Sequence, residues 1–272
     1  CAIFSGWVQA QVDFLRLTRM SPEEGLSEGY VSSLLIDNDG FLWLATQGGL
    51  NRYDGYQVAN IKGPNDIFDG KPIPYIFQDS TGLMWITDGN TGLYTLDLTT
   101  KKYQKKLDAN LLGTPAEVTQ VDHIVEQDNG DLWLASTQNL RLYHRDSGKM
   151  EVIFTITGLG REIDIIRRLL LHENHLYIAT SFGVFVMNIK THQFKAITHT
   201  PAVKPSDNQL NTKALYLEDN QLWVGTVEGL FSVNVDHIQA FIDDTISLPP
   251  PEEHIKYRNI WRILPHNDRF YI

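Results

Sequence analysis

Six copies of one pattern constrain the fold of this 272-residue chain more than any other feature. Each of the first five copies joins a turn rich in Asp, Asn and Gly to a short strand with an aromatic residue in its middle, and then a second turn to another strand; the sixth stops after its aromatic residue. The first copy runs from Asp37 to Tyr53. The aromatic residues follow one another at intervals of 42, 48, 44, 46 and 48 residues, and they are Trp43, Trp85, Trp133, Tyr177, Trp223 and Tyr271.

A period of this length, built from short strands, is typical of a β-propeller in which each repeat forms one four-stranded blade. One blade cannot bury both of its faces, and stacking the blades around an axis covers them. Helical solenoids have similar periods, but here apolar and polar residues alternate and turn residues recur at roughly 8 to 12 positions. We therefore predict an all-β propeller with about five complete blades and a truncated sixth.

The recurring aromatic residues have two interpretations. Stacking on a carbohydrate is one role open to them, but recurrence at a fixed register indicates packing between blades. We therefore assign to the blade core Trp43, Trp85, Trp133, Tyr177 and Trp223. Hydroxyl residues two or three positions later are predicted to stabilise the next turn by hydrogen bonds, and they are Thr46, Thr87, Ser136, Thr180 and Thr226.

Charge and cysteine usage restrict the partners of the chain. The net charge is -10 and no basic cluster occurs along the sequence, so neither nucleic acid nor an anionic membrane surface is expected as a partner. Cys1 is the single cysteine, which excludes a disulfide framework within the chain. No run of about 18 apolar residues occurs, so no membrane-spanning helix is predicted within these residues.

Both ends of the chain are interpreted as cut. Cys1 to Ala10 fits the tail of the apolar region of a signal peptide, with Val8-Gln9-Ala10 as the cleavage site. A disordered or strand-like N-terminus without export meaning is the alternative. Residues 11–272 are assigned to the propeller, in which Gln11 to Thr18 would be a leftover outer strand. Because the chain stops inside a predicted strand, we expect it to be a fragment of a longer protein.

Few residues suggest chemistry. His172 and His175 lie three positions apart, but they stand where other copies have a turn, and a zinc site needs three or four convergent ligands. We predict a turn there and no metal site. Asp122-His123 lies on a predicted inner strand, where packing or lining of the central channel is expected. Common nucleophile, phosphate-binding and zinc-protease motifs are absent, so we predict no cofactor and do not expect this chain itself to be an enzyme.

One face of the propeller is predicted to bind the ligand. By propeller geometry, the long connections from each outer strand to the next inner strand share a face with the turns after the aromatic strands. The connections vary between copies, as binding loops on a rigid scaffold do. The opposite face repeats similar turns, which suits structure better than selectivity. The best single candidates for ligand contacts are Asp88, Asn90, Gln138 and Glu228.

The first copy resembles the two-component regulator propeller repeat. The resemblance rests on Asp37 to Gly55, of the form Asp-x-x-Gly-x-Leu-Trp-Leu-Ala-Thr-x-x-Gly-Leu-Asn-Arg-Tyr-Asp-Gly, and on the lead-in Phe14 to Thr18 with Gly25-Leu-Ser27 and Val31. It covers nearly the whole chain, and the first, second, third and fifth copies match well. The fourth copy has Tyr177 in place of Trp and histidines in its first turn, which leaves the form of that turn open.

The resemblance implies a seven-bladed propeller, incomplete here, in the periplasmic sensor portion of a bacterial receptor anchored in the inner membrane. The output of such receptors is a histidine kinase or a diguanylate cyclase with a GGDEF motif, outside these residues. A small molecule or an oligosaccharide is then the expected ligand, and a homodimer is left open. Two rivals also stay open, namely a propeller enzyme such as a polysaccharide-active lyase or hydrolase, and a protein-interaction scaffold.

Overall fold

A computed structural model of the chain describes residues 20–89, 92–108, 121–137, 139–155, 165–197, 211–256, 259–266 and 269–271. Their strands form five antiparallel four-stranded sheets and one two-stranded sheet. The predicted all-β propeller with five complete blades and a truncated sixth is therefore confirmed. The predicted signal peptide and the strand Gln11 to Thr18 lie outside the described residues, and the seven-bladed ring stays a prediction.

Each blade runs from an inner strand to an outer strand in sequence order. Blade 1 consists of β1 (Val31–Ile36), β2 (Leu42–Thr46), β3 (Gly49–Tyr53) and β4 (Val58–Ile61). Blade 2 consists of β5 (Ile76–Gln78), β6 (Leu83–Thr87), β7 (Gly92–Asp97) and β8 (Tyr103–Asp108). Blade 3 consists of β9 (Val121–Glu126), β10 (Leu132–Ser136), β11 (Asn139–His144) and β12 (Lys149–Thr155).

The last two complete blades follow the same order. Blade 4 consists of β13 (Ile166–His172), β14 (His175–Thr180), β15 (Gly183–Asn188) and β16 (Phe194–Ala196). Blade 5 consists of β17 (Thr212–Glu218), β18 (Gln221–Thr226), β19 (Gly229–Asn234) and β20 (Glu252–Lys256). The sixth sheet pairs β21 (Leu264–His266) with β22 (Arg269–Tyr271).

Apolar clusters between consecutive blades hold the propeller together. In each, the aromatic residue of one blade packs on strands of the next, as Trp43 does on Ile76 and Trp133 on Ile178. The aromatic residues that are 2% exposed or less are Trp43, Trp85, Trp133 and Tyr177. Trp223 is half-buried in the last such cluster. The aromatic side chains thus fill the contacts between blades.

In blades 1 and 2 a buried aspartate ties the first turn to this core. One carboxylate oxygen of Asp37 accepts the Phe41 amide N–H (2.9 Å) and the other accepts the indole N–H of Trp43 (2.7 Å). Asp79 accepts the indole N–H of Trp85 in the same way (2.8 Å). A single side chain therefore closes the turn and fixes the orientation of the core tryptophan.

Blades 4 and 5 make the first turn differently. His172 pairs directly with His175, so only two residues separate β13 from β14. The turn between β17 and β18 also has two residues, and both Asp219 (φ 47°) and Asn220 (φ 58°) adopt the left-handed conformation that a tight hairpin favours. The turns of blades 4 and 5 therefore depart from the Asp-x-x-Gly form of blades 1 and 2.

Hydroxyl groups close the second turn, as predicted. Thr46 donates to the Gly49 carbonyl (2.9 Å), and Ser136, Thr180 and Thr226 make the equivalent bond. In blade 2 the Thr87 hydroxyl donates to the Tyr75 carbonyl (3.1 Å), and the second turn of that blade is described only in part. The predicted turn bond is confirmed in four blades.

The pattern of strands does not predict helix α1 (Ile238–Ile242), which lies between β19 and β20. Its residues Ile238, Phe241 and Ile242 are buried in the cluster between blades 4 and 5. Lys195 of β16 donates to the Phe241 carbonyl (2.8 Å) and pairs with Asp244. The helix therefore fastens blade 5 to blade 4.

An ion-pair network joins blades 2 and 3. The guanidinium of Arg145 donates to Asp79 (3.1 Å) and to Glu126 (2.8 Å). Burial alone would raise the pKa of Asp79, but hydrogen bonds from Thr81 and Trp85 and the charge of Arg145 outweigh it and hold that pKa below its usual value. The folded state therefore favours the ionised carboxylate.

Replacing two buried tryptophans with phenylalanine separates the hydrogen bond from the packing. Trp85→Phe removes the N–H that Asp79 accepts, which costs about 1 to 3 kcal/mol beyond the lost volume. Trp133→Phe removes a buried N–H that has no partner among the described residues, so it reports the volume loss without the loss of a hydrogen bond. We expect Trp85→Phe to lower the free energy of unfolding further, as measured by urea denaturation. Equal losses would show that the hydrogen bond contributes nothing.

The lowered pKa of Asp79 predicts acid sensitivity. The ionised carboxylate stabilises the fold above its unfolded pKa of about 3.9, and this contribution is lost as pH falls through the lower folded value. We expect the free energy of unfolding to fall between about pH 5 and pH 3, and to fall less in Asp79→Asn. The control is Asp128→Asn, which changes an exposed carboxylate outside the Asp79 network. Identical slopes in both variants would contradict the role of Asp79.

Candidate functional site

The long connection from blade 1 to blade 2 meets the second turns of both blades on one face, as predicted. The amide of Ile73 donates to the Thr46 carbonyl (2.9 Å), and the amide of Gly70 donates to the Gly48 carbonyl (3.1 Å). In blade 2, the Gly89 amide donates to the carbonyl of the connection at Pro72 (2.7 Å). This surface, formed by the connections and second turns, is here named the long-loop face.

The structure places two of the four predicted ligand contacts. Asp88 is 5% exposed, and its carboxylate accepts the Gly92 amide N–H (2.7 Å). Glu228 is half-buried in the second turn of blade 5, where its amide donates to the Thr226 hydroxyl (3.1 Å). Asn90 and Gln138 lie outside the described residues. Ligand binding by these four side chains stays a prediction.

A recurrent bulge shapes the channel below this face. In β1, β9, β13 and β17 the pairing shifts by one residue near the start of the strand, opposite the end of the second strand. Such a bulge bends the strand and re-aims side chains, and it is common beside functional sites. The residues inserted by the bulges are Ser32, Asp122, Arg167 and Lys213.

A cavity of about 260 Å³ occupies the channel at the level of the bulges. Because the inner strands begin at the long-loop face, this level is the mouth of the channel on that side. All five blades and the segment before β21 contribute to its wall. The polar lining consists of Ser33, Tyr75, His123, Arg168, Lys213 and Arg262. We name this cavity the channel mouth.

His123 is neutral in the channel mouth. Loss of hydration first, and then the charges of Arg168 and Arg262, lower its pKa to about 3. Its Nδ1 accepts the Leu169 amide N–H (3.4 Å), which assigns the proton of the neutral ring to Nε2. The Tyr75 ring lies 4.8 Å from the imidazole, and burial raises the pKa of Tyr75, so its hydroxyl keeps its proton. Both groups can therefore donate hydrogen bonds.

Cationic side chains converge at the same level. Desolvation lowers the pKa of Arg168, the charge of Arg262 lowers it further, and Asp122 acts in the opposite direction. Desolvation and the charge of Arg167 likewise lower the pKa of Lys213. The expectation of no basic cluster therefore holds along the sequence but not in space, because the fold assembles one from distant segments.

Two further properties of the described residues concern metal binding and membrane crossing. In the part of the chain that the structure describes, no group of three His, Cys, Asp or Glu side chains could hold a metal ion. Within the same residues, no helix has the length and apolar character needed to cross a membrane.

One segment of the chain matches a known repeat. Residues 25–48 match the family model of the two component regulator propeller. The resemblance predicted from the sequence is therefore confirmed for these residues. A comparison with curated proteins gave no match.

Solved structures share the propeller fold. The extracellular domain of the hybrid two component system BT3049 from B. thetaiotaomicron is 23% identical with a TM-score of 0.66, over 81% of this chain and 30% of that one. The extracellular domain of BT4673 from the same organism is 20% identical with a TM-score of 0.58, over 86% and 35%. Virginiamycin B lyase from Staphylococcus aureus is 12% identical with a TM-score of 0.57, over 76% and 67%.

Identities this low support a common fold. They carry no information on whether the activities are shared. The chain spans only 30% and 35% of the length of the two extracellular domains that it matches. Both receptor domains and a lyase use the same architecture, so the function has to be argued from the surfaces of this chain.

Two substitutions on the long-loop face should behave differently. Asp88→Ala removes a buried carboxylate that closes the second turn of blade 2, so we expect the free energy of unfolding to fall by about 1 to 3 kcal/mol. Glu228→Ala should change it by less than about 0.5 kcal/mol, because its side chain is partly exposed. Urea denaturation measures both. A stability loss in Glu228→Ala as large as that in Asp88→Ala would assign Glu228 a structural role.

Proposed function

We propose that this chain is part of the ligand-sensing extracytoplasmic domain of a bacterial receptor anchored in the membrane. In this proposal the domain lies in the periplasm, and a histidine kinase or diguanylate cyclase output lies outside these residues. A ligand on the long-loop face would change the arrangement of the receptor, with a homodimer as one such arrangement. The chain itself would bind its ligand without converting it.

The observation that carries the proposal is the match of residues 25–48 to the two component regulator propeller. The likeness to two extracellular domains of two component systems agrees with it in fold. The geometry also supports a binding surface, because the described connection from blade 1 to blade 2 and the second turns lie on the same side of the propeller as the channel mouth. The lyase likeness, at 12% identity, supports the shared fold and no enzymatic role.

The proposed ligand is a small molecule or an oligosaccharide on the long-loop face. The side chains proposed to contact it are Asp88, Asn90, Gln138 and Glu228. Among these, Glu228 is the sharpest test, because the Asp88 carboxylate already closes a turn. Asp39 is the matched control, because it is an exposed carboxylate in a turn between β1 and β2 on the opposite face.

A ligand screen tests the proposal. The chain is mixed with neutral and acidic oligosaccharides and small metabolites, hits are found by thermal shift, and isothermal titration calorimetry measures their affinity. We expect a saturable hit whose affinity falls at least tenfold in Glu228→Ala and stays unchanged in Asp39→Ala.

Mass spectrometry of the same mixtures separates a sensor from an enzyme. We expect each bound compound to be recovered intact after prolonged incubation with the chain. Cleavage or elimination of the compound would overturn the proposal in favour of a propeller enzyme. A screen without any hit would remove the support for ligand sensing.

A further inference from the structure

Four cationic side chains meet at the channel mouth of a protein whose net charge is -10. Arg168, Lys213 and Arg262 line the cavity, and Arg167 lies next to them in the bulge of β13. Their mutual proximity is evident because the charge of Arg262 acts on Arg168 and the charge of Arg167 acts on Lys213. The charge of this cluster is therefore opposite in sign to that of the chain as a whole.

The cluster has little compensation from the protein. Asp122 is the carboxylate whose charge acts on Arg167 and Arg168. Within the described ranges, no carboxylate lies within 4.0 Å of the charged atoms of Arg168, Lys213 or Arg262. Like charges held together with so little compensation oppose folding, so packing does not explain why they converge here.

Other contacts hold the cations in place without neutralising them. Arg167 Nε donates to the side-chain carbonyl of Asn211 (2.7 Å). The ammonium of Lys213 lies 4.4 Å from the ring centroid of Trp261, a cation–π contact. Both partners are neutral, so each cation is oriented while its charge stays available.

We propose that the channel mouth is an anion-binding site that takes a carboxylate, sulfate or phosphate group of a small ligand. Arg168, Lys213 and Arg262 supply charge-assisted hydrogen bonds, and the Nε2–H of His123 adds a neutral donor. The bulges bring three of these groups to one level, because Lys213 is the inserted residue of its strand and His123 and Arg168 each follow the inserted residue of theirs. Arg262 joins them from the segment before β21. This inference rests on the proposed sensing function and names the chemistry that the ligand must carry.

The size of the cavity limits what enters it. About 260 Å³ is at or below the lower end of pockets that enclose a whole drug-sized ligand, so the site fits one acidic group or a small anion. Trp261 is 60% exposed beside the cluster, which leaves its ring free to pack on the rest of the ligand. The body of the ligand would then extend toward the long-loop face.

Binding of simple anions tests the site directly. The probes are sodium sulfate, sodium phosphate and sodium citrate, each compared with sodium chloride at equal ionic strength. Thermal unfolding and isothermal titration calorimetry are measured on the chain, on Arg168→Gln with Lys213→Gln, and on the control pair Lys102→Gln with Lys149→Gln. The control removes the same charge from exposed positions outside the channel.

We expect a saturable rise in melting temperature and a measurable affinity for at least one probe in the parent chain and in the control pair. The affinity should fall at least tenfold in the double variant Arg168→Gln with Lys213→Gln, here named the channel pair. General salting-out by sulfate or phosphate acts equally on all three proteins, so it cancels in the comparison. Equal responses in all three would overturn the proposal.

Arg262→Gln tests the site even if the channel pair fails to fold. Arg262 is exposed, so its substitution leaves the core intact. We expect it to weaken anion binding several-fold without lowering the melting temperature of the unliganded chain. Unaltered anion affinity in this variant and in any folded channel pair would overturn the site.

The ligand screen distinguishes this inference from the sensing function. If a neutral oligosaccharide binds with equal affinity to the parent and the channel variants, and no anion binds, the sensing function stands and the anion site falls. If neither anions nor neutral compounds bind, both fall. Loss of an acidic hit in the channel variants, with the control pair unaffected, supports both.

Discussion

The stability of this propeller depends on one constraint, which is that each blade leaves an apolar face that only the next blade can cover. Trp43, Trp85, Trp133 and Tyr177 each fill such a contact and are 2% exposed or less. Large flat side chains suit this position because each buries a large apolar area at the contact between two blades. Since each anchor must keep its register, the turns on either side of it are held by buried bonds, such as that from Trp85 to Asp79. The ring of inner strands, and hence the channel, follows from this stacking.

The parts of the fold that repeat could be predicted from the sequence. The anchors and turn residues recur at one period, and each blade must satisfy the same packing, so one pattern predicts five sheets. The exceptions have local physical causes. The inner strand of blade 2 is only three residues long and begins at Ile76, because Pro74 has no N–H to pair. Helix α1 escapes the pattern because Ile238, Phe241 and Ile242 follow a helical spacing inside a single connection.

The candidate site was predictable only in part. The chain order of the strands alone indicates that the connections and second turns share a face, and the hydrogen bond from Gly89 to Pro72 agrees with this. Side-chain roles were harder to predict, since Asp88 looks available in the sequence yet closes a turn. The cations of the channel mouth give no signal in the sequence, because Arg168 and Lys213 belong to different blades. Only the shared bulge brings them to one level, and a one-residue shift in strand pairing cannot be recognised from one sequence.

The channel mouth differs from the rest of the molecule in what it connects. The apolar clusters join consecutive blades, so a local change in one blade acts mainly on its neighbours. At the channel axis, residues of blades that are not consecutive interact. The charges of Arg168 in blade 4 and of Arg262 beyond blade 5 both act on Tyr75 of blade 2. An acidic group bound there would contact several blades at once and relieve the repulsion between their cations. The energy of binding would then depend on how closely the inner strands approach one another, which couples occupancy of the site to the shape of the whole ring.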